Sequence, residues 1–380
     1  MAVSVDNRRT RMRSALAAVL TVLILVPATI LFASVWGSIS DKRDSTELEK
    51  RGVEYISALA PLVSALAEAQ SSALAGVSAT PGSLSAAING VAAVDQRLGL
   101  ELNTRERWTG LRAKMDQLSK ITGSPVTVFE AHVEVTDLAL ALYNAVRNNS
   151  HLIRDPDNDL SHLQQALGVD LPEAVIQVSR MGDLSQLVAK ADTKVRAQLT
   201  PQFGAAVESV NSAVGELTDN LQAAVDDTTS VTLSGNLVSG LDSFRRGVES
   251  LTRGANPGGT PNTATMATAQ SQLQTSLANL SGIVAREMTT LLDERLAGLD
   301  TDAIVALVSA AAAVLLVGAA MVLPLTGTGR RLFVPVPGDG ARDVNVGPTG
   351  PDSARADADP RVPAYGEADP TWRERSGALR

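Results

Sequence analysis

The sequence predicts an all-α protein: an elongated antiparallel helical bundle, drawn as two stacked four-helix modules, held between two transmembrane helices. Three observations predict it. Two uncharged runs, each long enough to cross a bilayer, lie near opposite ends of the 380-residue chain. Between them apolar residues recur every 3.5 to 3.6 positions, with no strand-like alternation and no Asn-Gly hairpin signal. The composition is 44% hydrophobic but only 3% aromatic, and strands draw on aromatic and β-branched residues far more than helices do.

The membrane segments come first. Ala15 to Trp36 and Ala303 to Leu325 carry no charge, and about 20 helical residues cross a hydrocarbon core. Pro27 and Pro324 are compatible with spans, because proline is tolerated there. A cleaved signal peptide is the rival reading of the first run, but the run exceeds a usual apolar core and no convincing A-x-A site follows. Arg8, Arg9, Arg11 and Arg13 precede the first span, and Arg330 and Arg331 follow the second. The positive-inside rule then places both termini in the cytoplasm of a two-pass cell-membrane protein, with 37–301 extracytoplasmic. The resulting divisions are a basic leader (1–14), a first span (15–36), the external bundle (37–301), a second span (302–325) and a cytoplasmic tail (326–380). The tail holds seven of the 17 prolines and no apolar periodicity, so it is expected to be disordered.

Within the external segment, Leu48, Tyr55 and Leu62 interleave with Gly52, Leu59 and Leu66 at heptad spacing, which predicts one helix continuing out of the first span. Thr80 and Pro81 suit the N-cap and first position of a second helix reaching about Leu102. Thr104 is placed to cap a third, with Trp108, Leu111, Met115 and Leu118 on one face. Ser124-Pro125 starts a fourth, striped by Val135, Leu138, Leu142 and Val146 and ending near Ile153. Asp155-Pro156 opens a short helix closed by Gly168, and Pro172 begins another. Helical spacing resumes at Asp183 and runs through Leu187, Val195 and Val207 to about Val225. A further helix covers 231–253, followed by the Gly- and Pro-rich loop from Gly254 to Pro261. The last helix carries Leu273, Leu277, Leu280, Val284, Met288 and Leu291 and runs directly into the second span.

Charge and motif content narrow the function. The leader has net charge +3 and residues 330–380 have 0, so of the total of -8 the remainder carries -11. That balance argues against a nucleic-acid partner. With no cysteine, disulfides, thiol catalysis and Cys-based metal sites are excluded. His132, His151 and His162 form no metal-binding spacing. No nucleophile elbow, P-loop or dinucleotide fingerprint occurs. No enzyme activity and no cofactor are expected. Asp155, Asp157 and Asp159 alternate as in a calcium loop, but Leu160 and Ala166 stand where that loop needs Gly and Glu. Helix capping and complementing a helix N-terminus explain these acids better. Among the arginines in apolar surroundings (Arg97, Arg147, Arg154 and Arg180), ordinary surface pairing is the expectation.

The stretch Leu138–Asp159, which includes Ser150-His151-Leu152-Ile153-Arg154-Asp155-Pro156-Asp157, is followed by Leu171-Pro172-Glu173-Ala174. With Asp95-Gln96-Arg97 and Arg107-Trp108-Thr109-Gly110-Leu111, it resembles periplasmic helical sensor ectodomains, in particular the nitrate- and nitrite-sensing and helical bimodular group of actinobacterial sensor kinases. The resemblance covers roughly 40–300 and implies a sensor built on an external helical bundle. The family's Glu-Arg pair near the end of the first external helix falls here on Ala69-Gln70. The kinase or methyl-accepting module that follows the second span in that family is replaced by the short tail.

The resulting expectation is a receptor-like membrane protein. Its bundle would bind a small ligand or protein around Arg147, Arg154, Asp155 and Asp157 and relay a signal to a separate partner, a kinase or an envelope protein. Small residues in the second span (Ser309, Ala313, Gly318) point to a homodimer in the lipid bilayer. A scaffolding envelope protein without a small-molecule ligand is the alternative.

Overall fold

The computed structural model describes residues 4–77, 81–153, 155–228, 230–256 and 261–326. Among these, every regular element is a helix and no strand occurs. The elements are α1 (Ser4–Leu74), α2 (Gly82–Leu98), α3 (Arg105–Leu118), α4 (Pro125–Asn149), α5 (Asn158–Gln165), α6 (Leu171–Lys190), α7 (Thr193–Asp227), α8 (Val231–Ala255) and α9 (Thr263–Thr326). A π-turn, Ala166–Asp170, joins α5 to α6. The tail expected to be disordered, from 327 onward, lies outside the described residues, as do Thr80 and Arg154.

Both terminal helices are long and apolar enough to cross a membrane, and they fit a membrane protein. Most of their large apolar side chains between Val19 and Trp36, and between Ile304 and Leu316, are exposed, with Phe32 stacked on Trp36. Neither helix stops at the end of its apolar run. α1 continues for 71 residues in all, through Pro27 and Pro61, and α9 for 64. At 1.5 Å per residue these are shafts of about 105 and 95 Å.

The core follows the apolar stripes. Tyr55, Leu59, Leu62 and Leu66 of α1 are buried, and α7 supplies Leu199, Phe203, Ala206, Val210, Ala213 and Leu217 at steps of three and four. α1 packs on α2, α4 and α6, and α6 on α7. The buried apolar residues of these helices form one continuous core. Gln70 near the top of α1 reaches Asp183 of α6, while Gly52 lower on α1 receives Ser150 and Leu152 from the turn after α4.

Several expected boundaries move. α2 ends at Leu98, and Leu102 is buried in the following turn; Asn103 there takes a left-handed conformation. Pro81 precedes the first helical residue, Gly82. α4 stops at Asn149, and its buried stripe uses Ala139 where Leu138 was expected. Gly168 closes nothing: the chain passes through the π-turn into α6. Conversely, the continuous helix expected from Asp183 to Val225 is broken at Ala191-Asp192. There Asp192 Oδ1 accepts from the amides of Lys194 and Val195 at 2.9 and 3.0 Å and starts α7. An N-cap hidden inside a continuing apolar period is easily passed over. In α9, Leu292 takes the buried place expected of Leu291.

α8 and α9 lie antiparallel, and their pairing has a simple rule. Gly240, Gly247 and Gly254, one heptad apart on α8, face Leu280, Leu273 and Met266 of α9. A Cβ added at these glycines would come within 2.5, 3.0 and 2.9 Å of the facing side chain. Each glycine is thus a notch that one large side chain fills.

The same substitution should have opposite signs at two glycines. A methyl at Gly52 would collide with the buried Ser150 and Leu152, and overpacking of this kind costs about 1–3 kcal/mol. Gly52→Ala should therefore lower stability although alanine is the better helix former. Gly235→Ala, at an exposed α8 position with nothing within 4 Å, should gain up to about 1 kcal/mol. Thermal melts of the two variants check both.

Candidate functional site

The turn between α4 and α5 brings together residues far apart in sequence. Asp155 sits two residues before the N-cap of α5, which is Asp157. Its Oδ1 accepts from the Asp157 amide at 2.8 Å, closing a local turn that aims the carboxylate into the bundle. There it meets Arg295 of α9. Arg295 Nη1 donates to Asp155 Oδ2 at 2.8 Å and Nη2 to Asp155 Oδ1 at 2.5 Å, a bidentate pair. Nη2 also donates to Asp157 Oδ2 at 2.6 Å. The Asp155 side chain is 0% exposed and that of Arg295 19%. From α1, Glu49 brings Oε2 to 3.6 Å from Arg295. Gln164 of α5 donates to Asp155 Oδ2 at 3.3 Å.

The electrostatics follow from burial. Glu49 is raised from 4.5 to about 8, first by burial and next by the adjacent Asp155 charge. Both effects favour the protonated form of Glu49, while Arg295 makes its hydrogen bonds to Asp155 and Asp157. Burial by itself would depress the Arg295 guanidinium, but hydrogen bonds to Asp155 and Asp157 hold it above its ordinary value. One guanidinium thus clasps the first external helix, the mid-chain turn and the last helix. Exposed ion pairs repeat the α1–α9 contact: Lys50 with Asp293 at the level of the clasp, and Arg43 with Asp300 one heptad nearer the spans. Exposed pairs are individually weak; the buried one sets the register.

Of the four residues singled out from the sequence, the structure gathers Asp155 and Asp157 on Arg295. Asp155 is spent on this internal cation, whereas the Asp157 side chain is 63% exposed and, with Arg295, Asp159 and Glu294, lines an open surface cavity. Arg147 lies apart from them. Its Nε donates to the Leu152 carbonyl at 3.0 Å and Nη2 to Gln165 Oε1 at 2.8 Å. Its stem passes over Gly168, where a Cβ would approach Cδ to 3.2 Å. It makes no ion pair among the described residues. Gln165 and Asn220 instead carry the polar chain on to Asp170, and burial lowers the Arg147 pKa and raises that of Asp170. Arg154 lies outside the described residues.

Glu49 and Arg295 were missed by sequence reasoning. Both left a signal. Glu49 occupies the buried stripe Thr46, Glu49, Val53, Ile56 of α1, a polar residue at an apolar register position. Arg295 belongs to the last turns before the second span, where a cation facing a clustered Asp155-Pro156-Asp157 is the natural partner. Elsewhere, Arg97 pairs with Glu54 on the surface as expected. Arg180 does not: it is largely buried, donating to Thr136 at 2.8 Å and Asp137 at 2.6 Å. Gln70 is buried and donates to Asp183 Oδ2 at 2.8 Å. His132 is buried, and burial lowers it to about 4.

No known protein family matches the chain, and neither a characterised protein nor a solved structure matches it.

The clasp makes two measurable demands. Arg295→Met keeps much of the side-chain volume but strands the buried Asp155, and breaking a buried pair in this way costs about 3–5 kcal/mol. Glu49→Gln acts on the pH profile. The Glu49 carboxyl binds its proton more tightly folded than unfolded, so it makes the wild type lose stability as pH rises from about 4.5 towards 8. Glu49→Gln should flatten the stability curve over that window and be the more stable protein at pH 8. A wild type and variant with parallel curves would contradict this account.

Proposed function

We propose that this protein is a two-span membrane receptor, its helical bundle outside and both termini in the cytoplasm, that relays external events to a separate partner through α1 and α9. One observation carries the reading. The two helices that enter the membrane continue unbroken into the bundle and are fastened to each other there by Arg295, Glu49 and Asp155. A displacement of either helix at the clasp must travel down its shaft, because a continuous helix moves as a rigid element. A buried ion pair gives such a device a discrete closed state, because opening it leaves charge uncompensated. Ser309 and Ala313, one turn apart on one face of α9, would let a second copy pack closely there.

The arginines flanking the spans support the orientation. The groups that face Gln70 and line the clasp are mostly acidic or neutral, so the nitrate ligand of the resembling family forms no part of this reading. A rod that only spaces partners in the envelope is the second reading. The internal use of Asp155, whose side chain is fully buried against Arg295, favours it.

Two measurements on the full chain test this reading, the topology in intact cells and the coupling, which separates receptor from scaffold, in bilayer nanodiscs. A single cysteine at the exposed Asn211 should react with an impermeant reagent added outside intact cells, and one at Ser353 should not. Spin labels at Ala17 and Val322, near the inner ends of the spans, report the coupling when labelled protein is diluted with unlabelled. Opening the clasp with Arg295→Met should shift their mean separation by about 2 Å, the scale of helix displacements in signalling proteins. An unchanged separation would count for the scaffold.

A further inference from the structure

Above the clasp, α9 stands away from α1 and α2 and leaves a cavity of about 910 Å³ open on one side. This size falls within the range of small-molecule pockets, roughly 300–1,000 Å³. It exists because three helices present small side chains to one another there: Ala60 and Ser64 beside Pro61, Ala87 and Gly90 opposite, and Ala278 and Gly282 on α9. Close-packed interiors do not leave such gaps.

Two polar groups on its walls lack partners. Tyr143 of α4 lines the cavity, is 2% exposed, and its hydroxyl makes no hydrogen bond to any described residue. Gln274 of α9 lines the opposite wall, and its Nε2 is buried without an acceptor. Buried tyrosine hydroxyls and amides almost always find partners. Both groups are hydrogen-bond donors. No Lys, Arg or His lines the cavity among the described residues. The one charge on the lining is Glu68, which accepts from Ser83 at 2.6 Å.

An apolar cleft with unsatisfied donors, no cation and a carboxylate near its edge selects against anions and for acceptors. We propose that this cavity binds a neutral, elongated, largely apolar molecule bearing a carbonyl or ether oxygen, such as an ester, amide or lactone, with Tyr143 and Gln274 as its polar contacts. The proposal deepens the receptor reading and rests on it for its consequence. A molecule seated between α1 and α9 bears on both shafts at once, above the point where Arg295 joins them.

The absence of native cysteine makes a local reporter simple. Acrylodan attached at Ala278→Cys, in the full chain in nanodiscs, reads the cavity; the same dye at Asn211→Cys is the control. Methyl decanoate should blue-shift the Ala278 reporter saturably and leave the Asn211 reporter unmoved. Decane, which has no acceptor, decanoate, which is charged, and sodium nitrate should act weakly or not at all. Tyr143→Phe should weaken the ester about five-fold, the worth of one hydrogen bond, without affecting decane. Gly90→Leu should block binding, since nothing lies within 4 Å of the Gly90 Cβ position and the larger side chain can be housed. The proposal is overturned if the ester gives no shift, if the shift survives Tyr143→Phe and Gly90→Leu, or if nitrate or decanoate produces it. A shift that follows protein density and ignores the ester assigns the groove to a second copy and overturns it equally. Ester binding that leaves the Ala17–Val322 separation unchanged would sink the receptor reading and spare the cavity; a clasp-dependent separation without ester binding would do the reverse.

Discussion

The structure depends on a buried guanidinium. Arg295 is mostly withdrawn from water, and a cation so placed must be matched by carboxylates whose own desolvation it offsets. Asp155 supplies both of its oxygens and Asp157 one, and Glu49 stands beside them with its proton affinity raised by burial and by the Asp155 charge. With Arg295 itself, these groups come from three separated segments of the chain. The requirement that one charge be satisfied therefore fixes the relative height of α1, the α4–α5 turn and α9. Hydrophobic stripes alone would tolerate a slip by one heptad, because Leu follows Leu along them. An ion pair does not tolerate it.

The remaining register is held by shape. The core has few aromatic side chains, so its helices cannot be indexed by large rings. The chain uses glycine notches instead: Gly240, Gly247 and Gly254 for the α8–α9 pair, Gly52 for the turn after α4, and Gly168 for the stem of Arg147. A notch and the side chain that fills it are complementary at one register only. Where small residues face small residues, as around Pro61 and Ala278, no knob fills the space and a cavity remains. The same residue types thus index one interface and open another, according to what stands opposite.

Much of this was legible in the sequence. The heptad of Tyr55, Leu59, Leu62 and Leu66 described the buried face of α1, and the uncharged runs described both apolar segments. Ser124-Pro125 announced a helix start that the structure keeps, with the Ser124 hydroxyl accepting from the Thr127 amide at 3.2 Å. Local signals that compete were read less well. Gly168 looked like a stop, but a π-turn absorbs it. Asp192 looked like one more polar position in a continuing period, but it caps α7. Asp155 looked like a helix cap, and its strongest partner stands 140 residues away in sequence.

The sequence by itself determined the helices, their apolar faces and the two segments suited to a bilayer, because periodicity and hydropathy are properties of neighbouring residues. Only the tertiary structure decided that Arg295 and Glu49 belong with Asp155, that Arg147 does not, and that Tyr143 and Gln274 flank an open space. Those are relations between distant segments. They depend on the height at which each helix settles beside the next, which burial of charge and filling of notches set after the helices have formed.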